Sequence, residues 1–248
     1  MIVLKTNREL EIMRTAGRMV AEILTILREH IRPGVTTMEL EELALAETKK
    51  RKAIPAFKGY AGFPFALCCS PNNQVIHGMP NQQPLADGDI LSIDFGVKYK
   101  GFYGDSAITA AVGNCSNDAQ QLMDVTKRSL FAGIEQAVVG NRLFDISAAV
   151  QTTVEKAGYS VVRDFVGHGI GTKLHEEPQV PNFGTAGRGV ALKAGMVLAI
   201  EPMVNKGGYA VTVLKDGWTT VTADGALSAH FEHTVAITDH GPEILTQV

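Results

Sequence analysis

The stretch Gly88-Asp89-Ile90-Leu91-Ser92-Ile93-Asp94 has a counterpart in Gly195-Met196-Val197-Leu198-Ala199-Ile200-Glu201, 107 residues further along the chain. Each stretch contains an apolar run that ends in an acid, and neither contains a basic residue. A second landmark repeats at nearly the same spacing, because the break after the first helix at Gly34 recurs 106 residues later at Gly140. The pattern predicts a duplicated helix–helix–strand unit whose halves face each other. Chance similarity between two buried strands is the alternative that the two runs alone leave open.

Two helices are predicted in each half. Thr6 with Glu9 and Thr36 with Glu39 form capping boxes ahead of apolar stripes at helical spacing. In the second half, helices are predicted near 117–138 and 144–157. Strands are predicted around 66–70, 74–77, 90–97 and 102–112, and Asp216-Gly217 predicts a tight hairpin between 209–215 and 218–222.

The composition is that of an ordinary globular chain. Its 248 residues are 45% hydrophobic and 20% charged, which allows a substantial core, and we expect one catalytic domain over 1–248 with halves of about 1–114 and 115–248. The net charge of −3 gives no reason to expect binding to nucleic acid or to a membrane. Three cysteines, no secretory leader and no long apolar run predict free thiols and a cytoplasmic location.

Four carboxylates, those of Asp94, Asp105, Glu201 and Glu232, lie in segments that otherwise look like buried strands. An ionised carboxylate in such a place must be paired, protonated or bound to metal, because removing its water is costly. Asp94 and Asp105 suit two antiparallel strands joined by the turn at 98–101, although pairing of Asp94 with a lysine of that turn is about equally compatible with the sequence. If the fold gathers all four acids, two divalent cations would neutralise them, which predicts a dinuclear metal centre.

The segment 167–178 contains two histidines, His168 and His175, among glycines that let a ligand approach the backbone. It is neither a dinucleotide fingerprint nor a zinc-binding helix, because the glycine spacing is wrong and Pro178 interrupts a helix. His168 is a candidate ligand because the same chain contains four unexplained acids. Alternation places His230 on the face of Glu232 and His233 on the opposite face. For both of these histidines we favour a surface strand position over direct ligation.

Several segments resemble those of methionine aminopeptidases, in order and over essentially the whole chain: 73–78, 93–106, 167–171, 175–180, 200–205 and 231–234. The short interval between His168 and Glu201 resembles the bacterial type I enzymes. The resemblance implies the α+β pita-bread fold, in which pseudo-twofold halves build an antiparallel sheet with helices on its outer face. It also implies removal of the N-terminal methionine from nascent proteins and peptides.

The resemblance further implies roles for individual residues. Two divalent ions (Mn, Fe or Co) would be held by Asp94, Asp105, His168, Glu201 and Glu232, with Asp105 and Glu232 bridging. A metal-bridging hydroxide would attack the first peptide bond, Glu201 would carry the proton, and His77 and His175 would contact the substrate. The implied methionine pocket comprises Phe57, Tyr60, Phe63, Cys68, Leu174 and Trp218, and this chain departs from many bacterial relatives at Phe57, Phe63 and Leu174. The implied partners are a peptide or nascent-protein N-terminus and, transiently, the ribosome.

Two other functions remain compatible with the sequence. One is a proline-specific aminopeptidase or dipeptidase of the same fold, although such enzymes usually carry an additional N-terminal domain for which we expect no room here. The other is a binding protein that has lost the metal, which is disfavoured because all five ligand types are present.

Overall fold

The computed structural model describes residues 2–248, in which four α-helices form two consecutive pairs. The first pair is α1 (Asn7–His30) and α2 (Thr37–Lys50), and the second is α3 (Asn117–Glu135) and α4 (Leu143–Lys156). Both predicted capping boxes are present, at the start of α1 and of α2. The four predicted helices are confirmed, and α3 ends three residues before its predicted end.

The strands are short except for one central hairpin. They are β1 (Ile54–Pro55), β2 (Leu67–Pro71), β3 (Gln74–Ile76), β4 (Ile90–Tyr99), β5 (Phe102–Ala111), β6 (Ser160–Val161), β7 (Gly167–Gly169), β8 (Glu176–Val180), β9 (Val197–Ile200), β10 (Met203–Asn205), β11 (Val211–Val213), β12 (Thr220–Thr222), β13 (Ser228–His230), β14 (Glu232–Thr238) and β15 (Gly241–Ile244). The hairpin predicted at 209–222 is present as β11 and β12, whose paired segments are shorter than predicted.

An antiparallel sheet of nine strands extends through both halves in the order β1-β4-β5-β14-β9-β7-β8, with β2 also paired to β4 and β15 also paired to β14. Two three-stranded sheets, β13-β10-β6 and β11-β12-β3, adjoin it. The β5–β14 pairing, which we call the seam, joins the two halves. The fold is thus the α+β pita-bread arrangement that the resemblance implied.

The strand register reproduces the internal repeat. Ser92 pairs with Ser70 in the first half, and Ala199, 107 residues later, pairs with His168 in the second. The register therefore makes Ser70 the counterpart of His168. His77, although glycine follows it as it follows His168, is not the counterpart of His168, because His77 follows β3 rather than lying in β2.

Helix α1 packs directly on the hairpin of β4 and β5. Its apolar face, which includes Val20, Ile23 and Leu27, is fully buried in the core of the first half. Glycine allows an especially close approach, because a Cβ on Gly104 would lie 2.9 Å from the Gly17 nitrogen. The helix thereby fixes β5 one residue before Asp105.

Helix α3 packs against β5, β9 and β14 in the second half, where Leu122, Leu130 and Ile134 join the larger apolar core. Within the described residues, none of the helices combines the length and the apolar character that a bilayer-spanning segment requires.

Candidate metal centre and substrate pocket

The five predicted ligands lie on one face of the nine-stranded sheet, in two adjacent rows across it. The first row contains Asp94 on β4, Ala107 on β5 and Glu232 on β14, which oppose one another directly. Glu201 extends this row from the end of β9. Because opposing residues of antiparallel strands point to the same face, the three acids converge above the small side chain of Ala107.

The second row contains Asp105 on β5, Thr234 on β14, Ala199 on β9 and His168 on β7. Three of these residues lie two positions from a first-row residue of the same strand, so they share its face. The small side chains of Thr234 and Ala199 leave space between Asp105 and His168. Strand register thus explains how ligands from distant parts of the sequence meet.

The side-chain atoms of the cluster are close enough to share cations. One ligand atom from each of Asp105, His168 and Glu232 lies within 4.8 Å of the other two. The Nε2 atom of His168 is 3.6 Å from Oε1 of Glu201. Asp94 lines the same cavity as these four residues. The structure therefore brings all five predicted ligands together.

The acids of this cluster are buried, and none of them pairs with a lysine or arginine within residues 2–248. Their exposed fractions are 9% for Asp94, 4% for Asp105, 7% for Glu201 and 2% for Glu232. Burial, followed by the charges of neighbouring carboxylates, raises the pKa of Asp94, Glu201 and Glu232 well above the usual range. Burial raises the pKa of Asp105 to about 7. The alternative in which Asp94 pairs with a lysine of the turn is wrong, because Lys98 lies over the Tyr103 ring and Lys100 lies over the Tyr99 ring.

The donor atoms fit divalent cations. One oxygen each of Asp94, Asp105 and Glu232 has no hydrogen-bond partner, and buried unpaired oxygens are costly unless they bind a cation. The Nδ1 atom of His168 donates to the Gly169 carbonyl oxygen at 2.9 Å, so Nε2 presents its lone pair to the site. Burial lowers the pKa of His168 to about 3, which keeps the ring neutral as ligation requires.

Two further histidines face the cluster. The ring of His175 lies 4.2 Å from that of His168, measured between centroids, and its Nδ1 is 2.7 Å from the Tyr60 hydroxyl. His77 has a left-handed backbone with φ of 59°, and its ring contacts Trp218 edge-on. Non-glycine residues adopt this conformation rarely and mostly where surrounding structure imposes it. Both histidines line the cavity, as expected from the sequence.

An apolar pocket continues from the metal cluster. All six residues that the resemblance implied line it: Phe57, Tyr60, Phe63, Cys68, Leu174 and Trp218. Ile76 also lines it, and the sequence reasoning missed this residue although it immediately precedes His77. Phe63 packs edge-on against Trp218 at 5.1 Å between centroids. The whole cavity, ligands included, has a volume of about 160 Å³.

A buried ion pair holds the segment that carries His175. Lys5 Nζ donates to Glu176 Oε2 at 2.7 Å, and the exposed side-chain fractions are only 4% and 9%. Burial opposes ionisation of Glu176, but hydrogen bonds from Lys5 and the Lys173 backbone outweigh it and lower the pKa of that carboxyl. No sequence signal pointed to this pair, because its members are 171 residues apart.

The two remaining histidines of the last strands differ from expectation. His230 is 1% exposed, so its predicted surface position is wrong, and its unpaired Nε2 lies 3.7 Å from Glu201 Oε2. His233 points to the opposite face, where it contacts Thr246 and Phe131. The alternation of the strand predicted the two faces correctly but not the burial of His230.

Comparison with known proteins identifies the family to which this chain belongs. A family model described as metallopeptidase family M24 matches residues 11–239. The chain is 58% identical to a methionine aminopeptidase of Clostridium perfringens and 54% identical to methionine aminopeptidase 1 of Bacillus subtilis, each over 100% of both chains. The solved structure of methionine aminopeptidase from Thermotoga maritima superposes with a TM-score of 0.99 at 48% identity and covers 100% of each chain. This chain therefore belongs to metallopeptidase family M24 and, within it, to the methionine aminopeptidases.

Proposed function

We propose that this chain hydrolyses the first peptide bond of peptides and nascent proteins whose first residue is methionine, and that residues 1–248 act as one catalytic domain. The observation that carries the proposal is the continuity between the five-ligand cluster and the apolar pocket within one cavity. A volume of about 160 Å³ is below the ~300–1,000 Å³ typical of small-molecule pockets. Such a cavity suits one side chain and its α-amino group.

The number and kind of metal ions are inferred from the donor atoms of the cluster. Asp94 would hold one divalent ion, His168 and Glu201 would hold a second, and Asp105 and Glu232 would be shared. Oxygen-rich ligation with one imidazole suits Mn, Fe or Co. Bound ions of this kind act as Lewis acids and lower the pKa of water toward ~7.

Glu201 is the proposed proton carrier. Its carboxylate lines the cavity that contains both the metal cluster and the apolar pocket. There it would accept a proton from the attacking water and return it to the leaving amine. No lysine or arginine of the described chain pairs with this carboxylate, so its oxygens remain available.

His175 is the proposed donor to the scissile carbonyl. Burial lowers the pKa of His175, so the ring is neutral and only one of its nitrogens carries a proton. The Tyr60 hydroxyl lies 2.7 Å from Nδ1, and burial raises the pKa of Tyr60, so this hydroxyl keeps its proton. In the tautomer in which the hydroxyl donates to Nδ1, Nε2 carries the ring proton and would donate to the developing oxyanion. His77 would contact the substrate from the Trp218 side of the pocket.

The test is release of free methionine from Met-Ala-Ser by purified protein that has been stripped with a chelator and reloaded with Mn, Fe or Co. We expect cleavage only after metal is restored, and no cleavage of acetyl-Met-Ala-Ser, which lacks the free amine. Absence of turnover with every metal would support the metal-free binding protein instead. Faster cleavage of Ala-Pro peptides than of Met-Ala-Ser would support the proline-specific alternative.

The proposal includes the cellular setting. Three free cysteines suit a reducing compartment, and nascent chains are made in the cytoplasm. Transient association with the ribosome belongs to the same proposal. Co-sedimentation of the protein with translating ribosomes, but not with ribosomes stripped of nascent chains, would support it.

A further inference from the structure

Thr234 occupies the point where β14 changes its partner. Residues Glu232 and His233 pair with β5 across the seam, whereas Val235 to Thr238 pair with β15. The backbone N–H and carbonyl of Thr234 are both hydrogen-bonded to the two residues that follow β15. Its N–H donates to Thr246 Oγ1 at 3.1 Å, and its carbonyl accepts from the Leu245 N–H at 2.9 Å.

Asp105 lies opposite this residue and needs two hydrogen-bond partners for its backbone. The Thr234 hydroxyl supplies both, because Oγ1 accepts from the Asp105 N–H at 3.1 Å and donates to the Asp105 carbonyl at 2.7 Å. One side-chain oxygen thus replaces a pair of ladder hydrogen bonds. Thr234 is fully buried and Asp105 is nearly so, hence water cannot easily take over the two contacts.

The position of this hydroxyl relative to the ligands is specific. Thr234 lies between Asp105 and His168 in the second row and two residues after Glu232. The neighbouring Ser106 hydroxyl donates to the Glu232 carbonyl at 2.6 Å and fixes the other side of the seam. We propose that the Thr234 hydroxyl is a positioning group, which sets the separation of the Asp105 and Glu232 carboxylates and thereby the affinity of the shared metal site.

An internal comparator lies four residues beyond Asp105 on β5, where Thr109 contacts β13. Thr109 Oγ1 accepts from the His230 N–H at 2.9 Å and donates to the His230 carbonyl at 2.8 Å. Like Thr234, it bonds both backbone groups of one residue, but that residue is not one of the five ligands, and Thr109 Oγ1 also lies 2.8 Å from Ser92 Oγ. Loss of either hydroxyl should therefore lower stability, and at least as much at Thr109, whereas only loss of the Thr234 hydroxyl should separate the bridging acids.

The inference rests on the proposed function, and its test begins with calorimetric titration of Mn²⁺ into chelator-treated wild type, Thr234→Val, Thr234→Ser and Thr109→Val. We expect Thr234→Val to lose about tenfold or more in Mn²⁺ affinity, in line with loss of groups that orient metal ligands. Thr234→Ser should bind like the wild type. Thr109→Val should show at least as large a fall in Tm without metal, because Thr109 also contacts Ser92, but should retain Mn²⁺ affinity within about threefold.

Kinetics with Met-Ala-Ser provide a second readout. In saturating Mn²⁺, Thr234→Val should lose kcat while KM changes little, because the pocket is intact. Wild-type Mn²⁺ affinity in Thr234→Val, or an equal loss of affinity in Thr109→Val, would overturn the inference. If Thr234→Val does not fold, Thr234→Ala takes its place under the same criteria. Failure of the wild type to bind Mn²⁺ would instead reject the proposed function.

Discussion

The two halves of the molecule share a scaffold but supply different donors. The first half presents its acids on a continuous hairpin of two ten-residue strands, and of the five proposed ligands it contributes only the oxygen donors Asp94 and Asp105. The second half has a four-residue β9 and supplies His168, Glu201 and Glu232. At the register position of His168, the first half has Ser70. The duplicated fold therefore places unlike donor sets on like strands.

Because of this difference, the two proposed metal positions should depend on different donor atoms. In the proposed assignment, an ion held by Asp94 would depend on oxygen alone, whereas an ion held by His168 would also depend on an imidazole, which prefers softer divalent metals. The seam residues Asp105 and Glu232 would belong to both positions. Substitutions of single residues can distinguish the contributions of the two halves. We expect the largest effect on metal binding and activity at the seam.

Glu232→Ala removes an acid that both proposed metal positions would share. We expect loss of two-metal occupancy and no measurable release of methionine, since neither half retains its full ligand set. Metal content by mass spectrometry of the intact protein and an assay with Met-Ala-Ser measure the two effects. Full turnover in this variant would contradict the assignment of Glu232 as a shared ligand.

His168→Ala tests the unlike donor of the second half, with Ser70→Ala as its register-matched control. We expect the first substitution to lower metal affinity at one position by about 100-fold or more, the upper range for altered ligand environments. Ser70 accepts a hydrogen bond from the Gly78 N–H, so its loss should cost about 1 kcal/mol of stability. Calorimetric stoichiometry distinguishes them, and equal metal loss in both variants would refute the asymmetry.

Lys5→Met tests the buried Lys5–Glu176 ion pair, which holds the segment that contains His175. Breaking one side of a buried ion pair costs about 3 kcal/mol or more. The pKa of Glu176 is lowered in the folded protein, so the pair stabilises the fold above the ordinary Glu pKa, near 4.5, and this contribution is lost as pH falls through the lowered value. Urea unfolding should show a large difference from wild type at pH 7 that narrows below about pH 4.5.

The matched control for Lys5→Met is Lys206→Met, which breaks an exposed ion pair with Asp118. Surface pairs contribute about 0–1 kcal/mol, so this variant should unfold almost like the wild type. A difference for Lys5→Met that stays constant from pH 7 to pH 4 would show that Glu176 is not the group responsible.

Leu174→Ala is expected to have the smallest effect, because it changes only the pocket wall beside the second-half histidines. Leu174 is 2% exposed, and its truncation enlarges the cavity. We expect KM for Met-Ala-Ser to rise about tenfold, the range that a few methylenes provide, with kcat largely retained. Leu214→Ala, at a site 42% exposed, is the control. A fall in kcat with unchanged KM would place Leu174 outside the pocket.

The parts of this molecule that depend on local pattern were predictable from the sequence. The capping boxes at Thr6 and Thr36 predicted two helix starts, and the acids that end apolar runs indicated Asp94 and Glu201. Period-two alternation separated the faces of His230 and His233. Such signals lie within a few residues, where spacing along the chain dictates spacing in space.

The parts that depend on register between distant strands were not predictable from one sequence. Ser70 is the counterpart of His168 because of the register in which β2 pairs with β4 and β7 pairs with β9. Residue types alone do not reveal such a register. The burial of His230 and the Lys5–Glu176 pair likewise arise only when remote segments meet. The pocket residues were named through family resemblance rather than through any pattern of their own.

The involvement of Leu245 and Thr246 at the seam has a consequence for biogenesis. Synthesis proceeds from the first residue, so Asp94 and Asp105 leave the ribosome long before the strand at 241–244 exists. Until that strand docks, the backbone of Thr234 lacks its partners, and the acids contributed early have no fixed counterpart. A growing copy of this chain should therefore remain catalytically inactive until the segment that contains Leu245 and Thr246 has emerged and docked.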